Sequence, residues 1–160
     1  MTWQNEIVRI VRFLINDIDG SSYTDARLEE TVVVAAQLIY TAVDFEYTYT
    51  IDVDTININP DPTTKSDENF INLVALKTAC IILSSETRTR GLQSYKIVDG
   101  PSTIETMSAY HAMKALSDQM REDVQRAILQ FQMGNSRAGA AILTPYTQTQ
   151  IDTGIYRSFN

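Results

Sequence analysis

The sequence contains one cysteine, Cys80, and one histidine, His111. A lone cysteine excludes an intrachain disulfide, and one Cys with one His cannot build a zinc centre of ordinary ligand type within the chain. Cys80 lies in an apolar stretch, where a free thiol behaves as a small hydrophobe, so it reads as core rather than nucleophile. His111 shares the polar face of a long helical segment with Asp118, Glu122 and Gln125, and reads as a solvated helix residue rather than a general base. There is no Gly-rich phosphate loop and no nucleophile elbow. No apolar run reaches the length of a bilayer span; the longest candidate, residues 70–83, is interrupted by Asn72, Lys77 and Thr78. Residues 1–6 lack a basic region leading into an apolar one, so no secretory signal is expected and synthesis in a reducing cytoplasm is. These absences predict a chain that is not an enzyme, with no cofactor, no resident metal and no membrane partner.

What is present is ordinary globular composition. The 160 residues are 44% hydrophobic and 21% charged, enough for one domain with a real core. The net charge of −7 argues against a duplex-binding module, whose affinity comes from Lys and Arg neutralising phosphates. It is compatible with a protein that DNA must pass without sticking.

Helical period runs over about residues 3–18, with Trp3, Ile7, Ile10, Val11, Leu14 and Ile18 on one face and Arg9 and Arg12 pointing away. Asp19-Gly20-Ser21-Ser22 breaks it. Thr24 is the expected N-cap of a second helix over about 25–43, with Asp25 in its first turn and Tyr23 and Leu28 spaced as a hydrophobic staple. Its buried stripe is Leu28, Val32, Ala35, Ala36, Ile39 and Val43.

From Asp44 the period falls to two. Phe45, Tyr47, Tyr49, Ile51 and Val53 alternate with Glu46, Thr48, Thr50, Asp52 and Asp54, a strand signal, and the phase slips near Thr55 as at a bulge or short turn. Tested as a calcium loop, the segment Asp52 to Asp61 places Asn57 where glycine is needed and Thr63 where glutamate is needed. The alternation already explains Asp52 and Asp54 as the wet face of a strand. Ser66 is the expected cap of a third helix, apolar all round from Phe70 to Leu83 and therefore the buried centre of the domain, with Gly91 as its C-cap. Residues 92–98 form a second short strand, a possible partner for 45–58. Ser102 and Glu105 make a capping box opening a helix over about 103–133, with Met113, Leu116, Met120, Val124, Ala127, Ile128 and Phe131 buried. Lys114 with Asp118 and Glu122 with Arg126 are spaced as ion pairs, and Leu129 is an apolar residue on the polar side, suited to contact with another subunit. Gly134 closes this helix. The expected fold is mainly α: four helices, one of them central, and a small β element. It comprises a helical domain over 1–134 and an extended tail over 135–160 with scattered Ile142, Leu143, Tyr146, Ile151, Ile155, Tyr156 and Phe159.

The segment from Val11 to Glu30, with its Asn16-Asp17-Ile18-Asp19-Gly20 turn and Tyr23-Thr24-Asp25-Ala26-Arg27-Leu28 helix start, resembles the opening of tailed-bacteriophage head–tail connector proteins, also called adaptor or head-completion proteins. Asp61-Pro62 ahead of Asp67-x-x-Phe70-Ile71-x-Leu73, and Asp99-Gly100-x-Ser102-x-Ile104 ahead of the last helix, are similar too, over about residues 7–135. The resemblance implies a helical virion subunit of the neck. Such a subunit forms a homo-oligomeric, dodecameric ring under the portal protein, extends the DNA channel and offers a platform to a downstream neck or tail protein. Genomic DNA passes without specific binding. The resemblance also implies that the C-terminal segment docks on the portal through the seven apolar residues named above. The tyrosine-rich face of Phe45, Tyr47, Tyr49, Ile51 and Val53 is the candidate inter-subunit strand. Alternatives are another neck or tail protein, such as a stopper or tail terminator, and a small non-viral helical binding module. Deleting residues 135–160 is expected to abolish capture by an immobilised cognate portal, and retention at wild-type level would sink the docking role of the tail.

Overall fold

The computed structural model of the chain describes residues 2–93, 96–99, 102–105 and 107–135. It is mainly α, with helices α1 (Trp3–Leu14), α2 (Asp25–Ala42), α3 (Glu68–Gln93) and α4 (Met107–Asn135). Two short antiparallel hairpins interrupt them: β1 (Thr50–Asp52) with β2 (Asn57–Asn59), and β3 (Lys96–Asp99) with β4 (Ser102–Glu105). The chain divides into two compact units, residues 1–128 and 129–160. Of the second, the described part is the end of α4, where Leu129 and Met133 are exposed.

The core of the first unit is α3 laid against α1 and α2. Phe70, Val74, Ala75, Thr78 and Ala79 are fully buried, and Ile71, Leu73, Cys80 and Ile82 nearly so. Trp3, Ile7, Val8 and Val11 face them from α1. From α2 the partners are Leu28, Val32, Val33, Ala35, Ala36 and Ile39, the expected stripe plus Val33, while Val43 is buried but lies just past the helix as its C-cap. Thr78 hides its hydroxyl by donating to the Val74 carbonyl at 2.7 Å. By length and mean hydropathy Glu68–Leu92 does qualify as a bilayer span, against the expectation drawn from its interruptions, yet half of that window is buried inside the protein's own core.

Several boundaries differ from the sequence reading. Helix α1 stops at Leu14, not near residue 18, because Asn16 turns left-handed at φ 57°. The Asp17 N–H then bonds the Arg12 carbonyl at 2.9 Å and the Asn16 N–H bonds that of Phe13 at 3.3 Å, a Schellman termination. Ile18, expected inside, is therefore 58% exposed. Helix α3 is capped by Asp67, whose Oδ1 accepts from the Phe70 N–H at 3.0 Å, and not by Ser66. It runs through Gly91 rather than ending there. A Cβ at Gly91 would stand 2.8 Å from the Tyr110 ring, so glycine serves a close approach of α4 instead of a cap.

The predicted 45–58 strand is a hairpin on itself. Thr50 faces Asn59, Ile51 faces Ile58 and Asp52 faces Asn57, so the phase slip near Thr55 is its turn. The 92–98 strand pairs with Ser102–Glu105, not with the first hairpin. The capping box is accordingly not used: Ser102 and Glu105 are strand ends opposite Asp99 and Lys96, and α4 begins at Met107. On α4 the expected stripe is only partly inside. Val124 and Ser117 are buried, whereas Leu116 is 57% exposed. The ion pairs there are three apart, Arg121 with Asp118 at 3.3 Å and Arg126 with Asp123 at 3.2 Å, in place of the four-residue pairs expected.

Phe70 is fully buried at the centre of an aromatic cluster, with Tyr49 stacked on it at 4.2 Å and Phe45 meeting it edge-on at 5.2 Å. Phe70→Ala is expected to cost about 3–5 kcal/mol of unfolding free energy by urea titration. A loss below about 1 kcal/mol would show that the ring cluster is not part of the folding core.

Candidate interaction surfaces

Among the described residues no three of His, Cys, Asp and Glu are placed to hold a metal ion. His111 is exposed on α4 beside Tyr110, and Cys80 is buried in the core. Three features organise the described surface: a locked α1–α2 corner, a hairpin seated on an aromatic cluster, and a groove between α3 and α4.

The corner is organised by Arg12, which the sequence reading placed in solvent. Its side chain is only 14% exposed, and Asp17 beside it 3%. Nη1 donates to Asp17 Oδ2 at 2.7 Å and to the Asp17 carbonyl at 3.2 Å. Nη2 donates to the Tyr23 carbonyl at 3.0 Å and to Asp25 at 2.5 Å. Asp17 also accepts from the backbone N–H groups of Ser22 at 3.0 Å and Tyr23 at 3.2 Å. Those backbone donors, Ser22 first, together with the Arg12 charge, hold the Asp17 carboxyl below its usual range despite its burial. Gly20 is needed twice over. Its φ is 66°, and a Cβ there would sit 3.1 Å from Arg12 Nη1. Thr24 caps α2 as expected, accepting from the Arg27 N–H at 3.4 Å. The Tyr23 hydroxyl donates to Glu86 on α3, and burial, reinforced by that bond, pushes its pKa up to about 12. Beside the corner, Phe13 and Ile18 are exposed at 60% and 58%.

The tyrosines expected on one face of the 45–58 segment are not exposed together: Tyr49 is buried and Tyr47 half-buried. Tyr49 is buried, stacked on Phe70, and its hydroxyl donates to Asp67 Oδ2 at 2.8 Å. Burial first, and then that carboxylate, raises the Tyr49 pKa. Phe45 joins the same cluster with Tyr40, and Lys65 lies over the Tyr47 ring at 6.0 Å. Ile51 is half-buried in β1, and Val53, at the turn, is 48% exposed. The five candidate residues are thus split between the core and the hairpin tip. Asp52, expected on the wet face of a strand, instead organises the hairpin turn. Its Oδ1 accepts from the N–H groups of Asp54 at 3.0 Å and Thr55 at 3.2 Å, which fixes the turn. Bonds from Thr55 lower its pKa. Asp61 takes the Trp3 N–H at 3.2 Å, capping α1 from across the chain, and both Thr63 donors.

The groove, of about 800 Å³, runs between α3 and α4 within the first unit. Ile81, Val124 and Ile128 give it an apolar lining, and Lys77, Arg88 and Arg121 line it with positive charge. Ser84 and Ser117 share a hydroxyl bond of 3.1 Å between the two helices. No sequence pattern announced this groove, since its two walls are about forty residues apart. The tail residues Ile142, Leu143, Tyr146, Ile151, Ile155, Tyr156 and Phe159 lie outside the described residues. No family model, no curated protein and no solved structure matches the chain.

Because the folded-state pKa of Asp17 is lowered, its contribution to stability is complete above the ordinary carboxylate range near pH 4 and is lost as pH falls through the lower folded value. Asp17→Asn should therefore lower the urea midpoint at pH 7 and flatten its decline between pH 5 and pH 3. An unchanged acid profile in the variant would show that Asp17 does not couple folding to protons.

Proposed function

We propose that the chain is a structural subunit of a tailed-phage neck, a head–tail connector. It assembles into a ring beneath the portal, continues the DNA channel and seats the next neck or tail protein. The observation that carries this reading is the α1–α2 corner. Of the residues on which the resemblance rests, Asp17, Gly20, Ser22, Tyr23 and Asp25 are joined through Arg12 and Asp17 in one hydrogen-bonded unit, and Thr24 beside them caps α2. The likeness therefore falls on residues that hold one corner of this fold together. The acid excess supports it as well, because a channel wall must let a duplex slide without releasing its counterions into tight contacts. The seven apolar tail residues are assigned to the portal, and the chain is placed in the virion, with no catalytic role. A stopper or tail terminator is the other neck reading, and the mainly α fold weighs against it because those proteins are richer in β-structure.

Electron microscopy of the full chain mixed with its cognate portal tests the reading. A ring coaxial with the portal is the expected result. A chain that stays monomeric and leaves the portal bare at micromolar concentrations would overturn it.

A further inference from the structure

The groove between α3 and α4 stands open, and its chemistry is selective. Lys77, Arg88 and Arg121 line it and no carboxylate does, in a chain with 20 acidic and 13 basic residues. Arg121 has an exposed partner in Asp118, a pairing of small worth, while Lys77 and Arg88 make no ion pair with any described residue. Between these cations lies an apolar strip of Ile81, Val124 and Ile128, extended by Leu92, which is 90% exposed. The apolar strip disfavours a polyanion such as DNA as the occupant. It favours a short protein segment with an apolar residue set between carboxylates.

The first hairpin carries such a segment. Asp52, Val53 and Asp54 are all exposed at its tip, and neither carboxylate makes an ion pair with a described residue. The tip is also rigid. The Asp52 side chain ties down two backbone N–H groups of the turn, and Ile58 beneath it is buried, so little entropy remains to be lost on docking. Tip and groove sit at different ends of the same helix. The hairpin is anchored through Tyr49 to Asp67, just ahead of α3, whereas the groove-lining residues of α3 run from Lys77 to Leu92. At 1.5 Å per residue these stand roughly 15 to 37 Å further along.

We propose that the β1–β2 tip of one subunit, Asp52-Val53-Asp54, docks into the α3–α4 groove of a second copy of this chain. Val53 packs on the strip of Ile81, Val124 and Ile128, and the carboxylates meet Lys77, Arg88 and Arg121. Such a contact is heterologous: each copy offers a tip at one end and a socket at the other, the arrangement that makes a ring when the rotation between copies closes and a filament when it does not. The inference deepens the connector reading and rests on it for the ring, although the contact itself is testable without a portal.

Two full-length chains in a Cys80→Ser background, one with Val53→Cys and one with Ser85→Cys, are mixed under mild oxidation, alone at high concentration and again with portal added. The expected product is the mixed disulfide, in at least about tenfold excess over either homodimer. Asp54→Lys in the first chain or Arg88→Glu in the second should each lower that yield about tenfold, the effect of losing roughly one interfacial charge pair. The two together should restore it. No preference for the mixed product in either condition overturns the proposal. So does a duplex-DNA band shift that Arg88→Glu abolishes, which would make the groove a nucleic-acid site. Microscopy of the same samples separates the two claims. Rings without the mixed disulfide retire this contact and keep the connector reading, and the mixed disulfide without rings under the portal does the reverse.

Discussion

At the end of α1 a guanidinium and a carboxylate are taken out of water together, and the rest of the subunit is arranged around how they are satisfied. Removing Arg12 and Asp17 from solvent carries a desolvation cost that their mutual attraction alone does not guarantee to offset. The arrangement is stable because the remaining donors and acceptors are met as well. Asp17 takes two backbone N–H groups in addition to Arg12, and Arg12 gives to two carbonyls and a second carboxylate. Every one of those partners lies between residues 17 and 25, so the network fixes how α2 leaves α1. That choice sets the cradle in which α3 is buried. Tyr23, the last residue before the cap of α2, extends the network onto α3 through Glu86.

Carboxylates repeat this role elsewhere. Asp61 supplies a cap to α1 that Thr2 does not, Asp67 caps α3 while receiving Tyr49, and Asp52 closes the hairpin turn. Each accepts backbone N–H groups that would otherwise be orphaned at a helix start or a tight turn, and a charged acceptor makes these bonds stronger than a hydroxyl would. A net-negative chain here uses acids as clamps, which makes its corners stiff. Stiff corners suit a part that must present fixed surfaces to several neighbours.

Much of this was legible before any coordinates. The period of α2, the Thr24 cap, the all-round apolar character of α3 and the α1 period as far as Val11 depend on residues close in sequence, and they hold, while Leu14 of the expected α1 face is exposed. What escaped depends on distant partners. Ser102-Thr103-Ile104-Glu105 satisfies a capping box locally, but a neighbouring run of Lys96-Ile97-Val98-Asp99 offers a four-residue ladder, and the ladder prevails. Ile18 kept the helical period alive past Asn16, although an Asn at that position is a known terminator. The alternation over 45–53 was real yet its cause was different. Phe45 and Tyr49 are spaced to reach one aromatic cluster, and only residues 50–52 need a ladder. Arg12 looked solvated because its partners, Asp17 and Asp25, lie beyond the helix on which it was judged. The groove was invisible for a similar reason, since it exists only once two helices far apart in sequence are set side by side.

The distribution of charge connects the corner, the hairpin and the proposed ring. Cations on the wall of an assembled channel would offer a passing duplex weak phosphate contacts, each with its own counterion release. Three of this chain's cations, Lys77, Arg88 and Arg121, line one groove. Docking an acidic tip there would take three of the 13 basic residues out of the field that DNA experiences. The wetted wall left behind would be more acidic than the free subunit. Two carboxylates of one copy would be used at the same contact, so neighbours attract at the interface even though every subunit carries the same net charge and repels its like at a distance. On the proposed contact, binding between subunits and indifference to DNA would share a physical origin. Three cations would be used where one subunit meets the next, and the acid excess left on the wetted wall would grow.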